Sequence, residues 1–119
     1  MHLTDELAKS FAEQWIGAWN RHDLTAIMGL YSEEIRFYSP YIIKLEMNAE
    51  GVISEKGELE KYFGKALGIY TDLHFELHEV LTGAGSVILY YKSVGNRMAA
   101  EMMELDESGK ISLVKAHYN

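Results

Sequence analysis

The last third of the chain constrains the fold most strongly, because four strand-like segments follow one another there with only short connections. The segments cover residues 73–82, 86–94, 97–105 and 110–118. The connections are Gly83-Ala84-Gly85, a two-residue hairpin at Gly95-Asn96, and Asp106-Glu107-Ser108-Gly109. Glycine, asparagine and aspartate favour tight turns between antiparallel strands. The pattern therefore predicts a four-stranded antiparallel meander.

Three helices are predicted before the meander from apolar residues at helical spacing. The first begins at Thr4, runs for about four turns and has apolar residues at Leu7, Phe11, Trp15 and Trp19. The second follows Asp23 and has an apolar face of Leu24, Ile27, Met28 and Tyr31. The third ends at Gly68 and has an apolar face of Leu59, Tyr62, Phe63, Ala66 and Leu67. Threonine, aspartate and glycine are residues that favour helix caps.

One further strand is predicted between the second and third helices. Residues 34–39 alternate in polarity and stop at Pro40, which cannot donate a hydrogen bond to a strand ladder. Residues 41–53 leave two alternatives open. Apolar side chains at every second position favour a strand, and they are Tyr41, Ile43, Leu45 and Met47. A loop with a short helical piece fits the same segment.

The order of these elements predicts one α+β domain over residues 1–119. We expect the three N-terminal helices to pack on one face of a curved antiparallel sheet, with a small apolar pocket between the two layers. The third strand of the meander carries apolar residues on both faces. Met98, Ala100 and Met102 share one face, and Ala99, Met103 and Leu105 share the other. Because the helices cover only one face, we expect the other to form a homodimer interface.

Composition excludes several classes of function. The formal net charge of −7 disfavours nucleic acids and anionic membrane surfaces as partners. The chain has no cysteine, which removes disulfides and thiolate metal sites. No secretory leader or membrane-spanning run is evident, so we expect a cytoplasmic protein. No pattern in the sequence indicates a cofactor.

The chain resembles the nuclear transport factor 2-like superfamily, and within it the small SnoaL-like and ketosteroid-isomerase-like proteins. The resemblance rests on residues 15–20, Asp23-Leu24, Tyr31-Ser32, Phe37-Tyr38-Ser39-Pro40, Gly57 with Leu59, Tyr62 and Phe63, and residues 106–111. It implies a cone-shaped roll of the cystatin-like type, with a pocket between the helices and the concave sheet and a dimer formed through the convex face.

The resemblance also implies three catalytic positions in the ketosteroid-isomerase-like branch. Ser39 stands where that branch has a carboxylate base, and Trp15 stands where it has a tyrosine hydroxyl. Glu101 matches the third position, a buried acid on the meander. The C-terminal residues 114–119 differ from the tryptophan and late aspartate of the cyclase branch. Steroid isomerisation by the family's mechanism is therefore not expected.

Glu101 is the strongest catalytic candidate, with Ser39 as a second group. Glu101 shares a strand face with Ala99 and Met103, and this parity points it into the cone. A carboxylate among apolar neighbours has a raised pKa, so it can donate a hydrogen bond or act as a general acid or base near pH 7. Alternatively, Glu101 lies near the rim, or pairs with Arg97 or Arg36.

A set of residues is predicted to line or fill the pocket: Trp15, Trp19, Tyr38, Tyr41, Phe63, Ala99, Met103 and His117. Two tryptophans and a phenylalanine in the cone would leave little room for a ligand if they fill it. His74, Glu76 and His78 are not expected to bind a metal, because histidines four residues apart on a strand lie about 13 Å from each other. No metal site is predicted.

Two functions remain open at this stage. The first is a homodimer that binds a small apolar molecule and performs acid–base chemistry of the isomerase, cyclase or dehydratase type. The second is a non-catalytic ligand-binding or dimerisation module. A protein-partner adaptor is a third and weaker interpretation. An open cavity with a buried Glu101 favours the enzyme, and a cone filled by Trp15 and Phe63 favours the module.

Overall fold

Four α-helices and six β-strands make up the computed structural model, which describes residues 2–119. The helices are α1 (Asp5–Asn20), α2 (Leu24–Met28), α3 (Pro40–Lys44) and α4 (Lys56–Ile69). The strands are β1 (Tyr31–Tyr38), β2 (Val52–Ile53), β3 (Glu76–Thr82), β4 (Ser86–Lys92), β5 (Met98–Leu105) and β6 (Ile111–Tyr118). The α+β class is confirmed. The described helices include none long and apolar enough to cross a membrane.

The strands form one curved sheet in the order β2-β1-β6-β5-β4-β3. Strands β3 to β6 pair antiparallel with their neighbours in sequence, as the meander requires. Strand β1 pairs parallel with β6, so the sheet is mixed and differs from the predicted antiparallel sheet at this pair. A parallel pair needs a long crossover connection, and here α3, α4 and the first three meander strands supply it.

The second helix is shorter than predicted. It ends at Met28, where the Gly29 amide donates to Thr25 and closes the last turn. Tyr31 therefore does not belong to the helix face. It begins β1, pairs in register with Ile111 and is buried by the sheet and the helices above it.

Residues 40–53 contain a short helix, and the alternative of a strand from Tyr41 to Met47 is wrong. Ser39 caps α3, its Oγ accepting from the Tyr41 amide at 3.2 Å. Proline follows at the first helical position, where its missing N–H is not needed. Consecutive residues Tyr41 and Ile42 are both buried while Ile43 is exposed, a pattern that a helix produces and a strand does not.

The connection between β4 and β5 is longer than the predicted two-residue hairpin. It spans residues 93–97 and contains a single 3₁₀ turn over Val94–Asn96. The Ser93 amide donates to the Arg97 carbonyl at 2.7 Å and closes the loop. Gly95 and Asn96 both have φ near +60°, as turn residues do. The sequence therefore predicts the position of the turn correctly but not the length of the loop.

Helices α1 and α4 pack on the concave face of the sheet and bury its inward side chains. On β5 the inward residues Ala99, Glu101, Met103 and Leu105 are buried. The intervening residues on the convex face are half-buried or exposed, and no helix covers that face within the described residues. The predicted parity of β5 is therefore confirmed.

Candidate functional site

A cavity of about 50 Å³ lies between the helices and the concave face of the sheet. Aromatic side chains form most of its wall, and they come from both α1 and α4, from the sheet and from the segment before β3. Among these are Trp15, Trp19, Phe63, Phe75, Tyr91 and Tyr118. One carboxyl group, that of Glu101, reaches the cavity from β5.

The aromatic rings leave this cavity small because they pack against one another. Phe75 stacks on Trp15 with ring centroids 5.7 Å apart, and Phe63 meets Trp19 edge-on at 4.8 Å. An engineered apolar cavity of about 150 Å³ holds a benzene molecule, and a single water needs about 10–15 Å³. The cone is therefore largely filled, with room for a few waters or a very small molecule.

Glu101 is buried, with 3 % of its surface exposed. The Tyr91 hydroxyl donates to Glu101 Oε1 at 2.6 Å. Burial raises the pKa of the carboxyl to about 7, and the hydrogen bond from Tyr91 opposes that rise. The carboxyl therefore changes its protonation state near neutral pH, where a general acid or base is most effective.

The alternative positions for Glu101 are wrong. It does not lie at the rim, and the cations considered for it are engaged elsewhere. Arg97 donates through Nε to the Asn119 carbonyl at 2.8 Å. Arg36 donates to the Tyr38 hydroxyl on the outer face. A buried carboxyl without a cation is held in its neutral form more easily than a paired one, which explains the direction of its pKa.

The carboxyl of Glu101 affects the pKa of four tyrosines, which are the buried Tyr31, Tyr62 and Tyr91 and the partly buried Tyr118. Burial is the main cause of the raised pKa of each, and the nearby carboxyl raises it further. Their hydroxyl groups therefore stay neutral across the whole physiological range. Neutral phenols can donate hydrogen bonds, so the tyrosine neighbours of Glu101 are hydrogen-bond donors without a charge.

Ser39 does not reach the cavity wall. Its oxygen caps α3, and its hydroxyl interacts with Tyr62 and Tyr118, lowering the pKa of both against the larger effect of burial. On its other side Ser39 borders a shallow surface groove with Tyr38 and His117. The position that the family resemblance gave to a base is thus occupied by a capping hydroxyl.

The structure brings together about half of the predicted ligand-binding residues. Trp15, Trp19, Tyr41 and Phe63 line the cavity with Glu101. Ala99 and Met103 lie on the same inner face of β5, fully buried, but outside the cavity wall.

Tyr38 and His117 lie on the opposite face of the sheet from the cavity. Tyr38 pairs in register with Lys115, and His117 with Ala100, both of which are outward residues. Since successive strand residues alternate between faces, their parity keeps both side chains out of the cone.

Several wall residues were missed from the sequence. Tyr91 and Tyr118 point inward in the alternation of their strands. On β4, the apolar residues at every second position, Val87, Leu89 and Tyr91, would have predicted that Tyr91 faces the cavity. Phe75 precedes β3, lies outside every helix and strand, and had no periodic signal.

An entrance to the cavity lies between the end of α4 and the β4–β5 loop. Tyr70, Leu73, Ser93 and Val94 line the cavity and also a polar surface groove of about 260 Å³. Because the cavity and the groove share these four residues, we infer that solvent reaches the cavity from this groove.

Two indole groups of α1 differ in their hydrogen bonding. Trp15 Nε1 donates to the Tyr31 hydroxyl at 3.0 Å. Trp19 Nε1 is buried and, within the described residues, has no partner at hydrogen-bond geometry, although it lies near enough to the Tyr31 hydroxyl to lower its pKa. A buried N–H without a partner costs free energy, so the Trp19 indole is a donor available to an acceptor in the cavity.

The histidines of the first meander strand lie away from the cavity. His78 Nε2 is 3.6 Å from Glu76 Oε1 on the exposed side of β3. Among residues 2–119 no three histidine, aspartate or glutamate side chains are grouped as ligands of one metal ion.

The sequence model of the SnoaL-like domain matches residues 12–112. The chain belongs to the SnoaL-like family. A SnoaL-like protein of unknown function from Burkholderia thailandensis E264 is 32 % identical, with a TM-score of 0.94, and the match covers 100 % of this chain and 99 % of that one. The resemblance predicted from the sequence is confirmed.

More distant structures share the fold of this SnoaL-like chain. An NTF2-like protein of unknown function from Cytophaga hutchinsonii is 16 % identical with a TM-score of 0.72, over 100 % of this chain and 93 % of that one. A protein with a cystatin-like fold from Methylobium petroleophilum is 13 % identical with a TM-score of 0.75, over 99 % and 79 %. The predicted cystatin-like fold is confirmed. No curated protein matches the chain at a significant level of similarity.

Proposed function

We propose that this SnoaL-like protein binds a small, mostly apolar molecule bearing a carbonyl group, and that Glu101 performs acid–base chemistry on it. The observation that carries the proposal is a lone carboxyl in an aromatic cavity with a pKa raised to about 7. In its neutral form Glu101 donates a hydrogen bond to a carbonyl oxygen. As a carboxylate it accepts a proton from the carbon next to that carbonyl.

The volume of the cavity supports a small compound over a polycyclic one. At about 50 Å³ the space next to Glu101 is a fraction of what a benzene ring occupies. The polar groups support an acceptor on the ligand, because the Trp19 indole N–H is a buried donor without a partner among the described residues and the neutral Glu101 carboxyl can also donate. A small ketone or enone offers an oxygen acceptor on an apolar body.

A non-catalytic module is the second candidate, and two observations favour it. Aromatic rings largely fill the cone, which is the arrangement expected of a module. Of the described residues that line the cavity, Glu101 is the single carboxylic acid and none is a histidine. Proton transfer between two positions of a substrate by one carboxyl requires that group to move between them. If it does not, Glu101 and the tyrosines only fix the ligand or the core.

Binding is tested by thermal shift with a graded panel of acetone, butenone, cyclopentenone and larger ketones. A ligand at about a hundred times its Kd adds about 2.7 kcal/mol, which raises the Tm of a domain of this size by on the order of ten degrees. We expect the smallest enones to stabilise the wild type and to stabilise Glu101→Gln differently. Glu104→Gln is the matched control, since Glu104 lies three residues along β5 and is exposed.

Chemistry is tested separately from binding. We expect the wild type to exchange the protons next to the carbonyl of the bound ketone for solvent deuterium, with a rate that rises through pH 7. Glu101→Gln should lose that exchange, and Glu104→Gln should keep it. If ketones bind but no exchange occurs, the non-catalytic module is the correct function. If neither binding nor exchange is seen, the proposal of a small ketone ligand is wrong.

We also propose that a second copy of the chain covers the convex face. Apolar side chains form a band across its central strands: Ile88, Tyr90, Met98, Ala100, Met102 and Leu113. Ile88 and Tyr90 are 37 % and 40 % exposed, which is high for large apolar residues in the middle of a sheet. Sedimentation equilibrium should give twice the monomer mass, and a monomer at micromolar concentration would contradict this.

A further inference from the structure

The segment from Tyr70 to Phe75 forms a wall of the cavity that is built outside the helices and strands. Both of its ends reach the cavity: Tyr70 at the entrance and Phe75 in the interior. Phe75 is buried, with 6 % of its surface exposed. The other buried rings of the wall are carried by helices or strands, whose backbone hydrogen bonds fix their position.

The Phe75 ring packs against both α1 indoles and against Tyr91, the hydrogen-bond partner of Glu101. It stacks on Trp15 at 5.7 Å with an interplanar angle of 16°. It also packs against Tyr91 at 4.8 Å, the tyrosine whose hydroxyl donates to Glu101, and Trp15 and Tyr91 contact each other at 5.3 Å. Removing this ring would therefore extend the cavity next to the Tyr91–Glu101 pair.

Asn20, the last residue of α1, holds Phe75 by its backbone. The Phe75 amide donates to Asn20 Oδ1 at 2.6 Å, and Asn20 Nδ2 donates to the Phe75 carbonyl at 2.9 Å. His22 adds a contact of 2.8 Å between Nε2 and the Leu73 carbonyl. Because a carbonyl oxygen only accepts, Nε2 of His22 carries the proton. These side-chain hydrogen bonds fix the backbone of the segment, which within residues 2–119 has no backbone hydrogen bonds to a neighbouring strand at this point.

We propose that Phe75 sets the upper size limit for ligands of the cavity, and that Asn20 is the positioning residue that keeps it in place. The inference rests on the proposed function and specifies its substrate class. With Phe75 in place, the ligand is smaller than an aromatic ring. Without it, the same site admits benzene or indole beside Glu101.

The limit is tested by NMR titration of the wild type, Phe75→Ala and Phe75→Leu with benzene and with indole. The wild type should show no saturable shifts at the solubility limit of either probe. Phe75→Ala should bind benzene saturably, at least tenfold more tightly than the wild type, with the largest shifts at Trp15 and Tyr91. Phe11→Ala is the matched control, because Phe11 is partly buried in α1 but does not line the cavity.

The proposal is overturned if folded Phe75→Ala does not bind benzene, if Phe11→Ala binds it equally well, or if the wild type itself binds indole in the cavity. If Phe75→Ala does not fold, Phe75→Leu decides the matter, since it should bind benzene more weakly than the alanine variant but above the wild type. Failure of the leucine variant to bind would also overturn the proposal.

The role of Asn20 is separated from general stabilisation by a second pair of variants. Asn48 also bonds the backbone through its side chain, accepting from the Gly51 amide and donating to the Val52 carbonyl, both at 2.9 Å and away from the cavity. Asn20→Ala should admit benzene measurably, whereas Asn48→Ala should not, although both lose stability. Equal behaviour of the two would remove the positioning role.

Benzene has no hydrogen-bonding group, so its binding does not depend on Glu101. If no ketone binds the wild type while Phe75→Ala binds benzene, the proposed function fails and the steric role of Phe75 remains. If ketones bind through Glu101 but trimming Phe75 admits nothing larger, the proposed function remains and the size limit is wrong.

Discussion

The two faces of the sheet differ in how completely they are buried, and adjacent residues of the same strand show the difference. On β4, Tyr91 faces inward with 1 % of its surface exposed, and Tyr90 faces outward with 40 % exposed. The inner face buries a carboxyl among phenols and indoles. The outer face has half-exposed apolar groups bordered by Arg36 and Lys115. The comparison teaches that full burial on one face raises the pKa of a carboxyl, while incomplete burial on the other leaves large apolar side chains exposed.

The largest effect should come from trimming the two neighbouring tyrosines of β4. Tyr91→Ala removes a ring packed on Trp15 and Phe75 and should lower the free energy of unfolding by about 3–5 kcal/mol. Tyr90→Ala should change it by about 1 kcal/mol or less in the monomer. Urea unfolding at pH 6 measures both. Equal losses would mean that the two faces are not as differently packed as described.

The next effect is the pH dependence that the inner face imposes. Glu101 has a pKa of about 7 in the fold and an ordinary value of 4.5 when unfolded. Between these values the folded state binds more protons, so the free energy of unfolding falls as pH rises from 4.5 to 7 and then levels off. The fall attributable to this group is on the order of 3 kcal/mol.

This pH effect is measured as the difference between the wild type and Glu101→Gln. The variant should gain stability relative to the wild type as pH rises through that window. Glu104→Gln, on the exposed side of the same strand, should follow the wild type throughout. A constant difference between wild type and Glu101→Gln from pH 4.5 to 8 would contradict the account of the inner face.

A smaller effect isolates the hydrogen bond within the inner face. Tyr91→Phe keeps the ring and removes the hydroxyl that donates to Glu101 Oε1. It should cost about 1 kcal/mol of stability. Since this hydrogen bond lowers the carboxyl's pKa, the variant should also move the Glu101 titration above 7. Urea unfolding and carboxyl NMR check the two effects, and a titration moved downward would contradict the assigned donor.

The smallest effect on folding should come from a charge on the outer face. Ile88→Lys should change the stability of the monomer by about 0.5 kcal/mol or less. It should nevertheless abolish the proposed dimer, because an isologous interface places each lysine against the same surface of the partner. Light scattering distinguishes the outcomes. An unchanged dimer with lysine at this position would place the interface elsewhere.

Much of the fold was predictable because it depends on local periodicity. The helical spacing of Trp15 and Trp19 and the glycine turns of the meander gave the α+β class and most boundaries. The parity of β5 placed Glu101 inside. The parallel pairing of β1 with β6 was not predictable, since no local pattern records which distant strand a segment will join.

The site was predictable only in part, for a related reason. Residues on long periodic elements, such as Phe63 and Glu101, were placed correctly. Phe75 lies in an irregular segment held by a side chain 55 residues away in the sequence, so no neighbouring residue indicated its role. Tyr38 and His117 lie next to Pro40 and on the last strand, but their strand parity places both side chains on the outer face of the sheet.

The account depends most directly on the protonation of one carboxyl, so the decisive measurement is the pKa of Glu101. Side-chain ¹³C NMR of the glutamate carboxyls, assigned with Glu101→Gln, follows the titration from pH 3 to pH 9. The account predicts a midpoint near 7 for Glu101. A midpoint at or below the ordinary value of 4.5 would mean that the group is solvated or paired with a cation. That result would contradict the claim that Glu101 is a buried acid with a raised pKa.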